Sequence, residues 1–163
     1  MPPDIRIVEH FPPGAIGSIV TLHARHYAEH WGFGSFFEAK VATELAAFSM
    51  RASSDDLVLT ATDAEGVCGS LVLDLNDPES GSRGAHLRWF ITSDRCRGTG
   101  LGRELMTRAM AHADALRDGR AWLTTFRGLD AARHLYEAFG FKLVHEAEGE
   151  VWGNKVFEQE FRR

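Results

Sequence analysis

Arg95 to Met106 reads RCRGTGLGRELM. Gly98, Gly100 and Gly102 alternate with other residues, Arg95, Arg97 and Arg103 flank them, and an apolar helical pattern follows. Such a stretch suits an anion. Glycine lets the backbone approach a phosphate with no Cβ in the way. Unpaired N–H groups at a helix start point at negative charge, which the helix dipole also favours. The G-x-x-x-x-G-K-[ST] pattern, laid from Gly98, needs Gly, Lys and Ser or Thr where Arg103, Glu104 and Leu105 stand, and fails. G-x-G-x-x-G needs glycine in place of Arg103, and no early strand–helix–strand unit precedes it. R-x-x-G-x-G fits without adjustment, through Arg97, Gly100 and Gly102.

HYAEH, at His26 to His30, spells H-x-x-E-H and sets two histidines one helical turn apart, as zinc ligands require. A zinc peptidase would also need a further ligand downstream and Glu29 turned to the metal. A chance match in a His-rich helix is the reading adopted, so no metal site is expected. Cys68 reads as strand packing. Cys96 sits beside the glycine loop, with nothing in the sequence to lower its pKa.

These residues need elements to position them. Ile5 to His10 alternates as a strand, and Phe11 to Gly14 is a turn. The spacing of Ile16, Val20, His23, Tyr27 and Trp31 predicts a helix over 15–31. Phe37, Val41, Leu45 and Phe48 predict another over 36–50. LVLTATD and VCGSLVLDL read as strands joined at Glu65-Gly66, and NDPESGSRG (Asn76 to Gly84) as a polar connection. Ala85 to Thr92 is a strand, with Leu87, Trp89 and Ile91 on one face and His86, Arg88, Phe90 and Thr92 on the other. Leu101, Leu105, Ala109, Ala113 and Leu116 mark the helix after the loop. Trp122 to Phe126 is a strand, Leu129 to Phe139 a helix, and FKLVHE and WGNKVFEQEF are closing strands. The order is β-α-α-β-β-β-α-β-α-β-β. It predicts an α+β fold, a twisted and mostly antiparallel sheet of about seven strands with helices on both faces.

The 163 residues suit one domain over 1–163. A net charge of -5 argues against nucleic acid as a partner. No run of apolar residues is long enough for a membrane span, and the opening MPPDIRIVEHFPPG carries no apolar signal region. Two cysteines do not make a disulfide framework, so the cytoplasm is the expected compartment.

The R-x-x-G-x-G loop between strand and helix resembles that of the GNAT superfamily, the Gcn5-related N-acetyltransferases. AARHLYEAFGF (Ala131 to Phe141) is similar to the family's A-x-x-L-Y-x-x-x-G-F segment. The two motifs stand in the family's order with a strand between them. A finer resemblance, through TFRGLDAARHLYEAFGF, WGNKVFEQEF and Tyr27 to Glu38, is to the acetyltransferase half of proteins that fuse a MarR-type winged helix to this domain. This chain has no winged-helix half, so DNA binding is not carried over. Leu129 stands where the family often has Asn, and Cys96 where an aromatic is common.

The resemblance implies acetyl-CoA as donor. Phe90, Ile91 and Thr92 would lie against the pantetheine arm, with backbone N–H groups as oxyanion donors. Arg97, Gly98, Thr99, Gly100, Leu101, Gly102 and Arg103 would take the coenzyme A diphosphate. Tyr136 is the family's usual general acid, close enough in pKa to share a proton with a departing thiolate. The base is open among Glu38, Glu44, His86 and water. Glu38 is taken as the catalytic candidate, because it sits next to Phe36 and Phe37, which would line an acceptor pocket. The acceptor is expected to be an amine of a small molecule or peptide, and a homodimer is the assembly the resemblance allows. The rival to an enzyme is an acyl-CoA sensor or partner-binding module without turnover.

Overall fold

The computed structural model describes residues 4–163; the first three residues of the expected 1–163 domain lie outside the described part. The strands are β1 (Arg6–Val8), β2 (Leu57–Asp63), β3 (Gly66–Asp74), β4 (Ala85–Thr92), β5 (Ala121–Phe126), β6 (Lys142–Gly149) and β7 (Val156–Arg162). The helices are α1 (Ala15–Trp31), α2 (Ser35–Arg51), α3 (Leu101–Arg117) and α4 (Asp130–Ala138). All seven strands join one sheet in the order β1-β2-β3-β4-β5-β7-β6. The β4–β5 pair is parallel and the other pairs are antiparallel. This is the predicted mixed sheet and the predicted element order.

One face of the sheet packs on α3 and α4. Leu59, Leu71, Leu73, Leu87, Leu105, Met106 and Phe161 fill that core with almost no exposure. Met106 and Met110 are buried on α3, whereas Leu116 is 44% exposed, so the inward stripe is shorter than its spacing predicts. On the other face, α2 buries the expected Phe37, Val41, Leu45 and Phe48. The deepest line of α1 is Ala15, Ile19 and His23: His23 is on the predicted stripe, whereas Ala15 and Ile19 stand one position before the predicted Ile16 and Val20. Val20, Tyr27 and Trp31 pack at its edge, on a second core of Phe33, Phe37, Val41 and Phe126.

Candidate active site

β4 and β5 pair only at Ala85–Ala121 and His86–Trp122. Beyond that point they part. The cause lies in β4, where Val72 pairs with Arg88 and Ser70 with Ile91, so β4 carries an extra residue. Trp89 is the bulged residue, with φ 48°. A bulky residue in the left-handed region costs about 1–3 kcal/mol and persists only where its surroundings hold it. Ser70 Oγ donates to the Trp89 carbonyl at 2.6 Å. The Trp89 ring packs 5.7 Å from Phe48, with the Arg88 guanidinium 4.2 Å over it.

The bulge corrects the face assignment made by strict alternation. Trp89 turns to α2, not to the side of Leu87. Phe90 and Thr92 cross to the α3 side, where a Cβ on Gly102 would meet them at 3.6 and 3.9 Å. The parted strands open a cleft of about 1100 Å³ through the sheet.

At the open end lies the glycine loop. Gly98 and Gly100 hold φ of 72° and 83°, and the space around each is open. The N–H groups of Gly98, Gly100, Gly102 and Arg103 have no acceptor among the described residues. Leu101 differs: its N–H donates to Thr99 Oγ1 at 3.3 Å and its side chain is buried in the core. Arg95 anchors the loop, donating from Nε to Asp63 at 2.7 Å. Arg97 lines the cleft with a mostly exposed side chain, tied among the described residues only to Asp94 three residues back. An exposed pair of this kind holds its partners weakly, so the guanidinium can turn to a ligand. Free N–H groups, left-handed glycines and a released arginine fit a diphosphate. Arg103 is exposed beside the loop, 5.9 Å from the Phe139 ring. Phe90, Ile91 and Thr92 line the cleft along the unpaired edge of β4.

Midway along the cleft stands Tyr136, with its ring 6.1 Å from Phe90 and 6.0 Å from Phe141. No group among the described residues bonds its hydroxyl. Burial pushes its pKa well above the ordinary phenol value, with a smaller push from Tyr27. Such a phenol stays protonated at neutral pH, but it is a weaker acid than a free phenol, so its pKa lies further from that of a thiol than the residue type alone implies. Tyr27, across the sheet on α1, also lines the cleft, and burial pushes it up to about 12. The sequence marks Tyr27 only as a packing residue.

The closed end is polar. His86 Nδ1 lies 2.6 Å from Asp77 Oδ2, and its ring stacks on Trp122 at 3.7 Å. Trp122 Nε1 donates to Ser80 Oγ at 2.9 Å, and the Arg83 guanidinium covers the Trp122 ring at 3.5 Å. Arg88 reaches Glu44 at 3.3 Å and Asp74 at 3.5 Å. Burial draws His86 below its ordinary pKa against the pull of Asp77. The His86 hydrogen bond holds Asp77 well below the usual carboxylate range.

Glu44 lines the cleft; Glu38 is exposed and does not. Phe37, Val41 and Glu44 share the inward line of α2, and Glu38 is turned out of it. The expected pocket thus includes Phe37 but neither Glu38 nor the exposed Phe36. His26 and His30 stand with ring centroids 4.7 Å apart, yet HYAEH does not gather three metal-ligand atoms. Among the described residues the one such group is Asp63, Cys68 and Cys96, whose carboxylate Arg95 already holds. Asp77, Ser80 and Arg83 were missed because they lie in the connection read only as polar. The one available signal was a histidine on a strand directly after it.

A family model described as the acetyltransferase (GNAT) family matches residues 16–141. No curated protein matches the chain in sequence. Among solved structures, the chain is similar to YncA of Salmonella typhimurium, solved with its cofactor acetyl-CoA. The TM-score is 0.72 at 17% identity, covering 98% of this chain and 93% of that one. A GCN5-related N-acetyltransferase of Kribbella flavida gives 0.69 at 20% identity over 100% and 99%. A spermidine N-acetyltransferase SpeG chimera of Vibrio cholerae and hSSAT gives 0.66 at 18% identity over 98% and 94%.

Proposed function

The chain belongs to the GNAT acetyltransferase family, an acetyl-CoA-dependent family of enzymes, and on that premise we propose that it acetylates a primary amine of a small molecule or peptide by direct attack with both substrates bound. The carrying observation is one continuous cleft with a diphosphate-type loop at one end, Tyr136 in the middle and a polar end beyond it. A cleft running through the sheet gives two substrates separate entrances to one point. The spermidine enzyme among the similar structures supports a cationic acceptor.

When bound, acetyl-CoA supplies the thioester carbonyl that an amine attacks. Arg97 and the N–H groups of Gly98, Gly100, Gly102 and Arg103 hold its diphosphate. The unpaired edge at Phe90, Ile91 and Thr92 offers backbone partners to the pantetheine amides and N–H donors to the carbonyl oxygen. Tyr136 O–H gives its proton to the departing sulfur. We group the chain with the acetyltransferase half of MarR-type fusions on the 125–141 segment. We also propose a homodimer, for which the outer strand β6, with Leu143 and Val144 exposed, is the available surface.

The test measures thiol release from acetyl-CoA across a panel of amines, with Tyr136→Phe beside the wild type. Loss of a general acid lowers turnover by roughly 10²–10⁴-fold, and acetyl-CoA affinity should stay nearly unchanged. Full turnover in Tyr136→Phe would remove the residue from the mechanism. Acetyl-CoA binding without thiol release on any amine would favour a sensor.

A further inference from the structure

Three groups compete to receive the acceptor's proton, and the geometry separates them. Glu38 is exposed and off the cleft wall. Glu44 lines the cleft, but its two carboxylate oxygens are taken, one by Lys40 at 2.6 Å and one by Arg88 at 3.3 Å. His86 lines the cleft with Nδ1 held by Asp77 at 2.6 Å, and its Nε2 has no partner among the described residues. With Asp77 ionised, Nδ1 carries the hydrogen and donates it, which leaves the Nε2 lone pair free.

The site is also built. Asp77 Oδ1 accepts the Glu79 N–H at 2.9 Å, which fixes the carboxylate on its loop. His86 is held flat on Trp122, and Trp122 is fixed by Ser80 Oγ on its edge and Arg83 on its face. Arg83 is itself anchored to Glu160 on β7 at 2.9 Å. The connection 76–84 therefore supplies three side chains whose shared target is one imidazole and its stacking partner.

We propose, resting on the acetyltransferase reading above, that His86 accepts the proton of the acceptor's ammonium group and that Asp77 is its positioning residue. His86 pairs with Asp74 and Ile91 with Ser70, four steps of β3 or about 13 Å, so water in the cleft relays the proton. An R–NH₃⁺ group gives one proton through that water to Nε2. The neutral amine then forms the C–N bond as the C–S bond breaks. The leaving sulfur takes the proton of Tyr136, and the phenolate recovers one from the new amide nitrogen. His86 returns its proton to solvent. Coenzyme A, the amide and one released proton account for every atom.

The charged and titratable groups around His86 are Asp77 and Glu79 from the connection, Asp74 from β3, Arg88 from β4, Glu44 and Lys40 from α2, Glu160 from β7, and Arg83 beyond Trp122. The neutral imidazole is the working form. Its pKa lies below 6.5, so activity rises with pH through that lowered value and is then level up to the amine's own pKa.

The experiment compares kcat/KM against pH, from 5 to 9, for wild type, His86→Gln and Asp77→Asn with a primary alkylamine. Folding is checked by thermal melts. His86→Gln should lose the level region and rise about tenfold per pH unit, because only the small fraction of free amine, pKa ~10, then reacts. Asp77→Asn keeps an acceptor for Nδ1–H but removes the negative charge, so its acid limb should move to lower pH. Substrate-free NMR titration of the His86 ring reads the same pair: the midpoint should fall below 6.5 and drop further in Asp77→Asn. A wild-type pH profile in folded His86→Gln, or an unmoved midpoint in Asp77→Asn, overturns the proposal alone. Wild-type protein that acetylates no amine overturns the acetyltransferase reading, and the proposal with it.

Discussion

The two ends of the cleft are built from different materials. The end proposed for the donor is backbone: free N–H groups at the start of α3 and glycines in left-handed conformations, with the exposed Arg97 beside them. The polar end is side chains: His86 from β4, Trp122 from β5, and Asp77, Ser80 and Arg83 from the connection between β3 and β4. A backbone site has to be written in contiguous residues, because only glycine tolerates the required φ. A side-chain site is assembled by the fold from segments with no fixed spacing. The first leaves a motif in the sequence and the second does not.

Substitution at the donor end should be decisive. Gly100→Val puts a β-branched residue at φ 83° and a side chain where the diphosphate is expected. A ligand at 100 times its Kd stabilises a protein by about 2.7 kcal/mol, roughly 5–10 °C for a domain of this size. All of that acetyl-CoA protection should vanish; protection equal to wild type would refute the loop assignment. Gly102→Ala is the milder probe. Its Cβ would meet Leu135 and Phe90 at 3.6 Å, ordinary contact, so the unliganded melting temperature should hold. Acetyl-CoA affinity should fall on the order of tenfold, about 1.4 kcal/mol, from crowding of the ligand. Unchanged affinity would mean the diphosphate sits nearer Gly98 and Gly100.

At the polar end the effect should split the other way. Ser80→Ala leaves the buried Trp122 N–H without its partner, a loss of about 1–3 kcal/mol. The melting temperature should drop by a few degrees, and kcat/KM for the amine a few-fold as His86 loses its platform. Protection by acetyl-CoA should stay at the wild-type increment. An equal loss in both readouts would erase the distinction between the two ends.

The limits of sequence reading follow the same line. The strand and helix order, the inward face of α2 and the glycine loop were all legible, because periodicity and glycine spacing encode them locally. The bulge at Trp89 was not. Nothing in AHLRWFIT breaks its alternation, and the left-handed turn exists because Ser70 and Phe48 hold it from other segments. Yet that one residue parts β4 from β5, and it carries Phe90 to the α3 side and Trp89 to α2. Glu38 was chosen by its aromatic neighbours in sequence, whereas a helix places residues on a face by steps of three and four. Six positions on, Glu44 meets that spacing with Phe37 and Val41.

Glu38→Gln is therefore the smallest expected change and a sharp control. Glu38 lies in the first turn of α2, where a carboxylate faces the positive end of the helix dipole. Removing the charge should lower the melting temperature by about a degree or less. Both kcat/KM for the amine and acetyl-CoA protection should match wild type, because the side chain is exposed and off the cleft wall. Glu44→Gln reaches the cleft, and breaks its links to Lys40 and Arg88. It should raise KM for the amine several-fold while the pH profile keeps its level region. A tenfold loss of turnover in Glu38→Gln would return that residue to the chemistry, and would mean that α2 presents a different face when the acceptor is bound.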